Sequence, residues 1–507
     1  MDSSEEAPLK ANSSSANQKQ RKTLKEKIKY VKDNITVEPV VACFVVPGVL
    51  ARLATQNLNL DKACRVNLGY GDVVCDSLLA RDSNKYLRQE LAVQELVASM
   101  EVWKTFIVTA IPSFLILFLG AWSDRTRKRK ICILLPVIGD LLMCLSNILS
   151  VYFFYEIPVQ WTMFLEAIFP AITGGWITSY MGIFSYISDI SSVETRTFRI
   201  GVTNLCTTAG GPIASALSGV LLHNIGYYGV FAVSGLLFLF SICYGFVFIQ
   251  DPEQPVSEKE IEDKSGGVCG SLKSFFNTKH VKDTLAVAFK KGPNHRQAKS
   301  ILILTCILLI HGPWYGEHSV RYLFTRYRFN WDALKYSFYN TFYILVHIVG
   351  ALISISLFSR YLKWDDSVLG IISTCSKFVG AIAVALATTS LDMYIAVLLE
   401  TFNATTFTAM RSITSKLVTS DELGKMTSVF NLTEVLANMM FGPVYSWLYR
   451  ETLSIEPGVV YYVSAAITVI PIIIFVWLFT QRKKNDNTEI NNKIVNADVD
   501  PCLELQN

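Results

Sequence analysis

The chain has 507 residues, 51% hydrophobic and only 17% charged, against about 25% charged in soluble proteins. That shortfall, with many long apolar runs, excludes an ordinary soluble domain and indicates an all-α, multi-pass membrane protein. The net charge of +4 is unremarkable; the placement of the charges is informative.

Residues 1–35 read as a disordered cytoplasmic tail, serine-rich and basic, without the early apolar core of a cleavable signal peptide. The first span covers about 37–57 and contains Arg52; its Pro47-Gly48 pair predicts a break or kink at membrane depth. A polar loop at about 58–95 is external or luminal. Its Cys64 and Cys75 are expected to form a disulfide, with two free thiols as the alternative. Spans two and three, about 96–119 and 131–154, flank a tight basic turn, Gly120 to Lys130, with Asp124, Arg125 and Arg129; Asp140 interrupts the third span. Span four, about 160–187, carries Glu166 and a flexible Thr173-Gly174-Gly175 segment, and leads to a second charged turn with Asp189, Arg196 and Arg199. Spans five and six follow at about 200–223 and 227–249.

Residues 251–298 form a polar middle loop, the only long internal hydrophilic segment. Span seven, about 299–324, contains His311-Gly312-Pro313-Trp314-Tyr315 and then Glu317, His318 and Arg321; Gly-Pro is expected to break it. Spans eight, about 334–358, and nine, about 367–388, carry His347 and Lys377, which read as packing or snorkelling residues. Span ten, about 391–413, carries Glu400 and Arg411; a charged turn with Glu422 mirrors the one at 188–199. Spans eleven, about 427–448 with Glu434, and twelve, about 458–480, precede a polar tail at 482–507.

Twelve spans place both termini on one side, and most of the 46 Lys and Arg fall there, which makes it the cytoplasmic side. Matching charged turns suggest a duplicated bundle, 36–250 and 299–481, on either side of the middle loop. No phosphate-binding Gly-rich loop, metal-ligand spacing or nucleophile–base set is visible. An enzyme, a cofactor, a metal and nucleic-acid binding are therefore not expected; the cations are spread along one membrane face.

Ionisable groups inside spans cost about 2.5–3.5 kcal/mol each on insertion scales and usually face a cavity or a partner. Glu317 and Arg321 are four apart, suited to an intrahelical pair. Either His311 or Glu317 handles protons, with the broken helix lining the cavity, or 317–321 is a solvated pair near the outer interface. Asp140, Glu166, Glu400 and Glu434 are candidate proton carriers, with structural pairing as the alternative. Arg411 suits a carboxylate or phosphate, because its fork bonds two oxygens at once; a cytoplasmic anchor is the alternative. Trp314, Tyr315, Tyr339, Phe342 and Tyr343 offer rings for a flat substrate, or simply face lipid.

The basic turn resembles the loop between helices two and three of the major facilitator superfamily, with Arg127 where that pattern has Gly. Several stretches together resemble solute carrier family 46, the proton-coupled folate transporter family. They are Glu38-Pro39, Leu53 to Leu58, Gly120 to Asp124, Ser188 to Ser192 with Arg196 to Arg199, and Arg411 with Ser415 to Val418. The resemblance implies two six-helix bundles around a central site and alternating access. Its known substrates are mostly anionic and mid-sized: folates, muropeptides, cyclic dinucleotides and lysosomal catabolites. It also implies that Arg411 and His311 act in substrate or proton coupling, and Asp124 in the loop. Asn204 and Gly175 stand where the folate carrier has acids.

The combined expectation is a secondary transporter of small organic anions, proton-coupled and working as a monomer in the lipid bilayer of the plasma membrane or lysosome. Arg411, Trp314, Tyr315 and Tyr343 would bind substrate, and His311, Glu317, Asp140 and Glu400 would carry protons. Asp124, Arg125, Arg129, Asp189, Arg196, Arg199 and Glu422 would form a cytoplasmic gate. A uniporter and a non-transporting receptor are the alternatives.

Overall fold

The computed structural model describes residues 36–80, 85–191, 193–251, 286, 289, 290, 292, 295–362, 364–418 and 420–499. The chain divides into two units, Met1–Thr36 and Val37–Asn507; the second is the helical body. The expected tail at 1–35 and most of the middle loop lie outside the described residues.

The described secondary structure is helical. The first half holds α1 (Glu38–Lys62), α2 (Asp72–Leu79), α3 (Leu87–Thr126), α4 (Arg129–Tyr152), α5 (Val159–Ile172), α6 (Gly175–Ile190) and α7 (Val193–Phe248). The second holds α8 (Arg296–Phe329), α9 (Ala333–Ile353), α10 (Asp366–Leu386), α11 (Ser390–Leu399), α12 (Thr405–Lys416), α13 (Ser420–Thr452) and α14 (Val459–Val499). Short π-helical stretches, Ala63–Asn67 and Ser354–Tyr361, continue α1 and α9. Nine helices among the described residues are long and apolar enough to cross a membrane.

One of the nine covers two expected spans. At 1.5 Å per residue, the 56 residues of α7 would run far beyond a hydrocarbon core of about 30 Å. The chain turns back at Gly226, whose φ of 64° and ψ of −169° suit only glycine. Expected spans ten and eleven fall outside the nine. Span ten is split into α11 and α12 around Glu400, and span eleven, on α13, is more polar than the rest.

The expected proline breaks do not occur. α1 runs through Pro47 and α8 through Pro313. The Gly312-Pro313 pair is a packing device instead: a Cβ at Gly312 would collide with the Phe441 ring, and one at Gly316 with Tyr445. Small residues one turn apart thus let α8 lie close against α13. Span four does break, at the segment expected to be flexible, where Gly174 and Gly175 take φ 91° and 58° between α5 and α6. The 58–95 loop is shorter than expected, because α1 continues to Lys62 and α3 begins at Leu87. The expected tail after 481 begins as a continuation of α14.

Among the described residues, three helix starts in the second half carry side-chain caps, Asp332, Asp365 and Thr389. Asp332 accepts from the Lys335 amide at the start of α9, and Thr389 forms a capping box with Asp392 on α11. Leucines such as Leu142, Leu145 and Leu149 of α4 remain exposed, as a face turned to lipid requires. The largest apolar core joins both halves and includes Cys64, Cys75, Val93, Tyr322, Phe324 and Tyr449. It lies at the end that carries the Cys64–Cys75 disulfide.

Candidate transport site

A cavity of about 560 Å³ is lined by residues of α1, α3, α4, α5 and α6 from the first half and of α8 and α13 from the second. Five charged side chains reach it. Lys104 of α3 lies 3.0 Å from Glu101 Oε1 and 2.9 Å from Glu166 Oε2. Asn59 Nδ2 also donates to Glu166 Oε2, at 3.0 Å, which leaves Glu166 Oε1 buried without a hydrogen-bond partner. Asp140 of α4 and Arg52 of α1 line the same space, and neither makes a hydrogen bond or ion pair among the described residues. Trp314 and Tyr315 contribute the α8 wall, and His318 stacks on Trp314 with centroids 6.1 Å apart.

Of the expected substrate residues, Trp314 and Tyr315 therefore reach the cavity. Tyr343 does not line it; the ring is buried under Arg321, whose guanidinium carbon stands 4.0 Å from its centroid. Tyr339 and Phe342 pack instead against Tyr394. Arg411 also lies off the cavity lining: its side chain is 56% exposed, and it approaches Glu434 at 3.4 Å. Its guanidinium lies over the Phe430 ring of α13, 5.0 Å from the centroid.

Of the expected proton carriers, Asp140 lines the cavity and the other three do not. His311 is buried against Phe407 and 3.3 Å from Glu434, without hydrogen-bond geometry at either ring nitrogen. Glu317 and Glu400 belong to a buried network centred on Lys377, whose Nζ lies 2.6 Å from Glu317 Oε2 and 2.9 Å from Glu400 Oε1. Asn403 donates to Glu400 at 2.9 Å, and His347 stands 3.9 Å from the same oxygen. Lys377 and His347 are thus members of an ionic network, not the packing or snorkelling residues expected. Glu317 and Arg321 are both buried rather than solvated. Two carboxylates and two cations balance there, as burial requires.

The expected gate residues fall into pairs within each half. Asp189 accepts from Arg127 at 2.8 Å and from Arg129 at 2.9 Å, and Arg199 lies 3.6 Å from Glu38. Glu422 accepts from Lys290 and Arg296. Those two cations hold its carboxyl below the usual carboxylate range. The side chains of Asp124, Arg125 and Arg196 lie outside the described residues. The described hydrogen bonds between halves lie toward the disulfide end. Arg326 Nε donates to Glu90 at 2.8 Å, Tyr322 Oη to Asn57 at 2.6 Å and Tyr449 Oη to Gln94 at 3.0 Å.

Sequence reasoning missed Glu101, Lys104 and Arg52 as site residues. The signal for the first two was present: opposite charges three apart share a helix face, here inside an apolar run.

Comparison with known proteins agrees with this architecture. The Major Facilitator Superfamily profile matches residues 84–442. The chain is 24% identical over 464 residues to the chicken (Gallus gallus) "Lysosomal proton-coupled steroid conjugate and bile acid symporter SLC46A3", covering 88% of this chain and 94% of that one. It is 23% identical over 460 residues to the "Probable peptidoglycan muropeptide transporter SLC46" of Drosophila melanogaster, covering 89% and 86%. The rat (Rattus norvegicus) "Proton-coupled folate transporter" is 23% identical over 362 residues, 70% of this chain and 73% of that one. Among solved structures, a peptide transporter POT in complex with sulfate superposes with a TM-score of 0.55 at 10% identity, covering 86% and 94%. The human organic anion transporter MFSD10 superposes with a TM-score of 0.52 at 14% identity, covering 87% and 98%. At these identities the structural likeness concerns the fold.

Proposed function

Since this chain belongs to the major facilitator superfamily, we propose that it is a secondary transporter that carries small organic anions together with protons by alternating access. The observation that carries the reading is the charge balance of the cavity. Two cations, Arg52 and Lys104, face three carboxylates, Glu101, Glu166 and Asp140. With all three ionised, the lining carries one negative charge in excess and repels an anion. A single proton on Asp140 or on the unpartnered oxygen of Glu166 removes that excess. The protonated, neutral lining then admits a monoanion, and the loaded carrier bears the same single negative charge as the empty, unprotonated one, so that anion and proton cross together with no net charge transferred.

Reorientation requires the disulfide-end contacts between the halves to separate and the other end to close. In this reading Asp189, Arg127 and Arg129 brace the turn between α3 and α4 against the end of α6. Both termini lie in the cytoplasm, the protein works as a monomer, and it resides in the plasma or lysosomal membrane. Trp314 and Tyr315 are the substrate-facing rings.

The test is reconstitution of the full chain into liposomes. Uptake of radiolabelled folate, a muropeptide, a cyclic dinucleotide and a bile acid is followed with and without a proton gradient. We expect uptake of at least one solute, driven by the gradient and accompanied by internal acidification. Uptake indifferent to the gradient points to uniport, and no uptake of any of the four sinks the reading.

A further inference from the structure

We infer that Arg52 anchors the acidic group of the cargo, and that the cargo is an amphipathic monoanion: one carboxylate, sulfate or phosphate on a body containing rings. The inference deepens the transport reading above and rests on it.

Arg52 lies midway along α1, deep in the molecule yet exposed, because it opens into the cavity. No hydrogen bond or ion pair engages it among the described residues. The other cations nearby are committed. Lys104 sits between Glu101 and Glu166, and Arg321 lies over Tyr343 and near Glu317. A guanidinium inside a span is costly without a counter-charge. Here carboxylates such as Glu101 share the cavity but none pairs directly with the fork, so its donors are left for the ligand. The planar fork of arginine grips two oxygens of one acidic group. One such fork accommodates one acid, and a second would approach the carboxylates of Glu101 and Asp140.

The rest of the lining describes the rest of the ligand. Trp314 and Tyr315 form one wall, and Phe44, Trp176 and Tyr180 belong to the other half. Aromatic rings contributed by both halves favour a flat or ring-bearing apolar body. A volume of about 560 Å³ accommodates a single mid-sized molecule.

The test uses the full chain in lipid nanodiscs with tritiated estrone sulfate as probe. Unlabelled estrone sulfate, deoxycholate and neutral estrone serve as competitors. The wild type is expected to prefer both monoanions to estrone. Arg52→Gln should weaken both monoanions by about tenfold or more while leaving competition by estrone unchanged. Arg52→Lys, which keeps the charge but loses the fork and guards against a folding defect in the first variant, should recover part of the binding lost in Arg52→Gln. Three results overturn the assignment: Arg52→Gln binding like wild type, wild type binding estrone as tightly as its sulfate, or wild type binding neither monoanion. If the binding pattern holds while liposomes show no uptake, the anchor stands and the transport reading falls.

Discussion

Arg326 of α8 and Glu90 of α3 form an ion pair, Nε to Oε1 2.8 Å, that joins the two halves, with each side chain no more than 3% exposed. Gln94 donates to the same Glu90 oxygen at 2.8 Å, and Tyr449 donates to Gln94. Arg326 also reaches the carbonyl of Leu78, on the helix that Cys75 ties to Cys64. The pair is therefore the centre of a closure at the disulfide end. Glu90→Ala leaves Arg326 buried and unpaired, at a cost of about 3–5 kcal/mol to this closed state. We predict that it shifts the carrier toward opening at that end. The measurement is the labelling rate of a Gln56→Cys variant by an impermeant maleimide added from the disulfide side. The rate should rise at least tenfold in the Glu90→Ala background; an unchanged rate refutes the closure.

Asp140 faces the cavity without a partner, so its charge is free to change with cargo. We predict that Asp140→Asn uncouples transport. Uptake driven by a proton gradient should fall about tenfold, while exchange of labelled for unlabelled solute at equal pH is preserved. Loss of both activities together at normal protein abundance counts against a coupling role.

Lys377 separates two buried carboxylates. Lys377→Met leaves Glu317 and Glu400 buried without their shared cation, and we expect a loss of about 3–5 kcal/mol. Restoring charge balance with Glu317→Gln in the same chain should recover part of it. Melting temperatures of the purified variants decide the matter: no recovery in the double variant means the network is not electrostatically coupled.

Arg127 ends α3 at φ 54°, a conformation that L side chains adopt only with strain. It gains the exposed contact with Asp189, which Arg129 also holds. An exposed pair contributes about 0–1 kcal/mol, and relief of left-handed strain about 1 kcal/mol. Arg127→Gly should therefore leave the melting temperature unchanged or raise it slightly. A drop of several degrees shows that the Arg127–Asp189 pair dominates.

Glu422 bears on pH. Lys290 and Arg296 lower its carboxyl in the folded state, so its contribution is present above the unfolded carboxylate range and is lost only as pH falls through the lowered value. The clasp should thus persist in a mildly acidic compartment. The melting-temperature difference between wild type and Glu422→Gln is expected to be constant from about pH 8 to pH 5 and to shrink below about pH 4. Shrinkage already at pH 6 contradicts this.

The sequence by itself determined the class of protein. Apolar length, the flexible Gly174-Gly175 segment, the boundary between spans five and six, the cysteine pair and the charged turns are local signals, each set by a few neighbouring residues. Tertiary structure decided which ionisable side chains meet. In lipid a helix is apolar on nearly every face, so no amphipathic phase tells that Arg52 and Lys104 line the cavity while Arg411 meets Glu434 and Phe430 instead. It also decided the fate of Pro47 and Pro313. A proline removes one backbone hydrogen bond, and whether the helix then breaks depends on neighbours such as Phe441 and Tyr445, which lie far away in the chain and close in space.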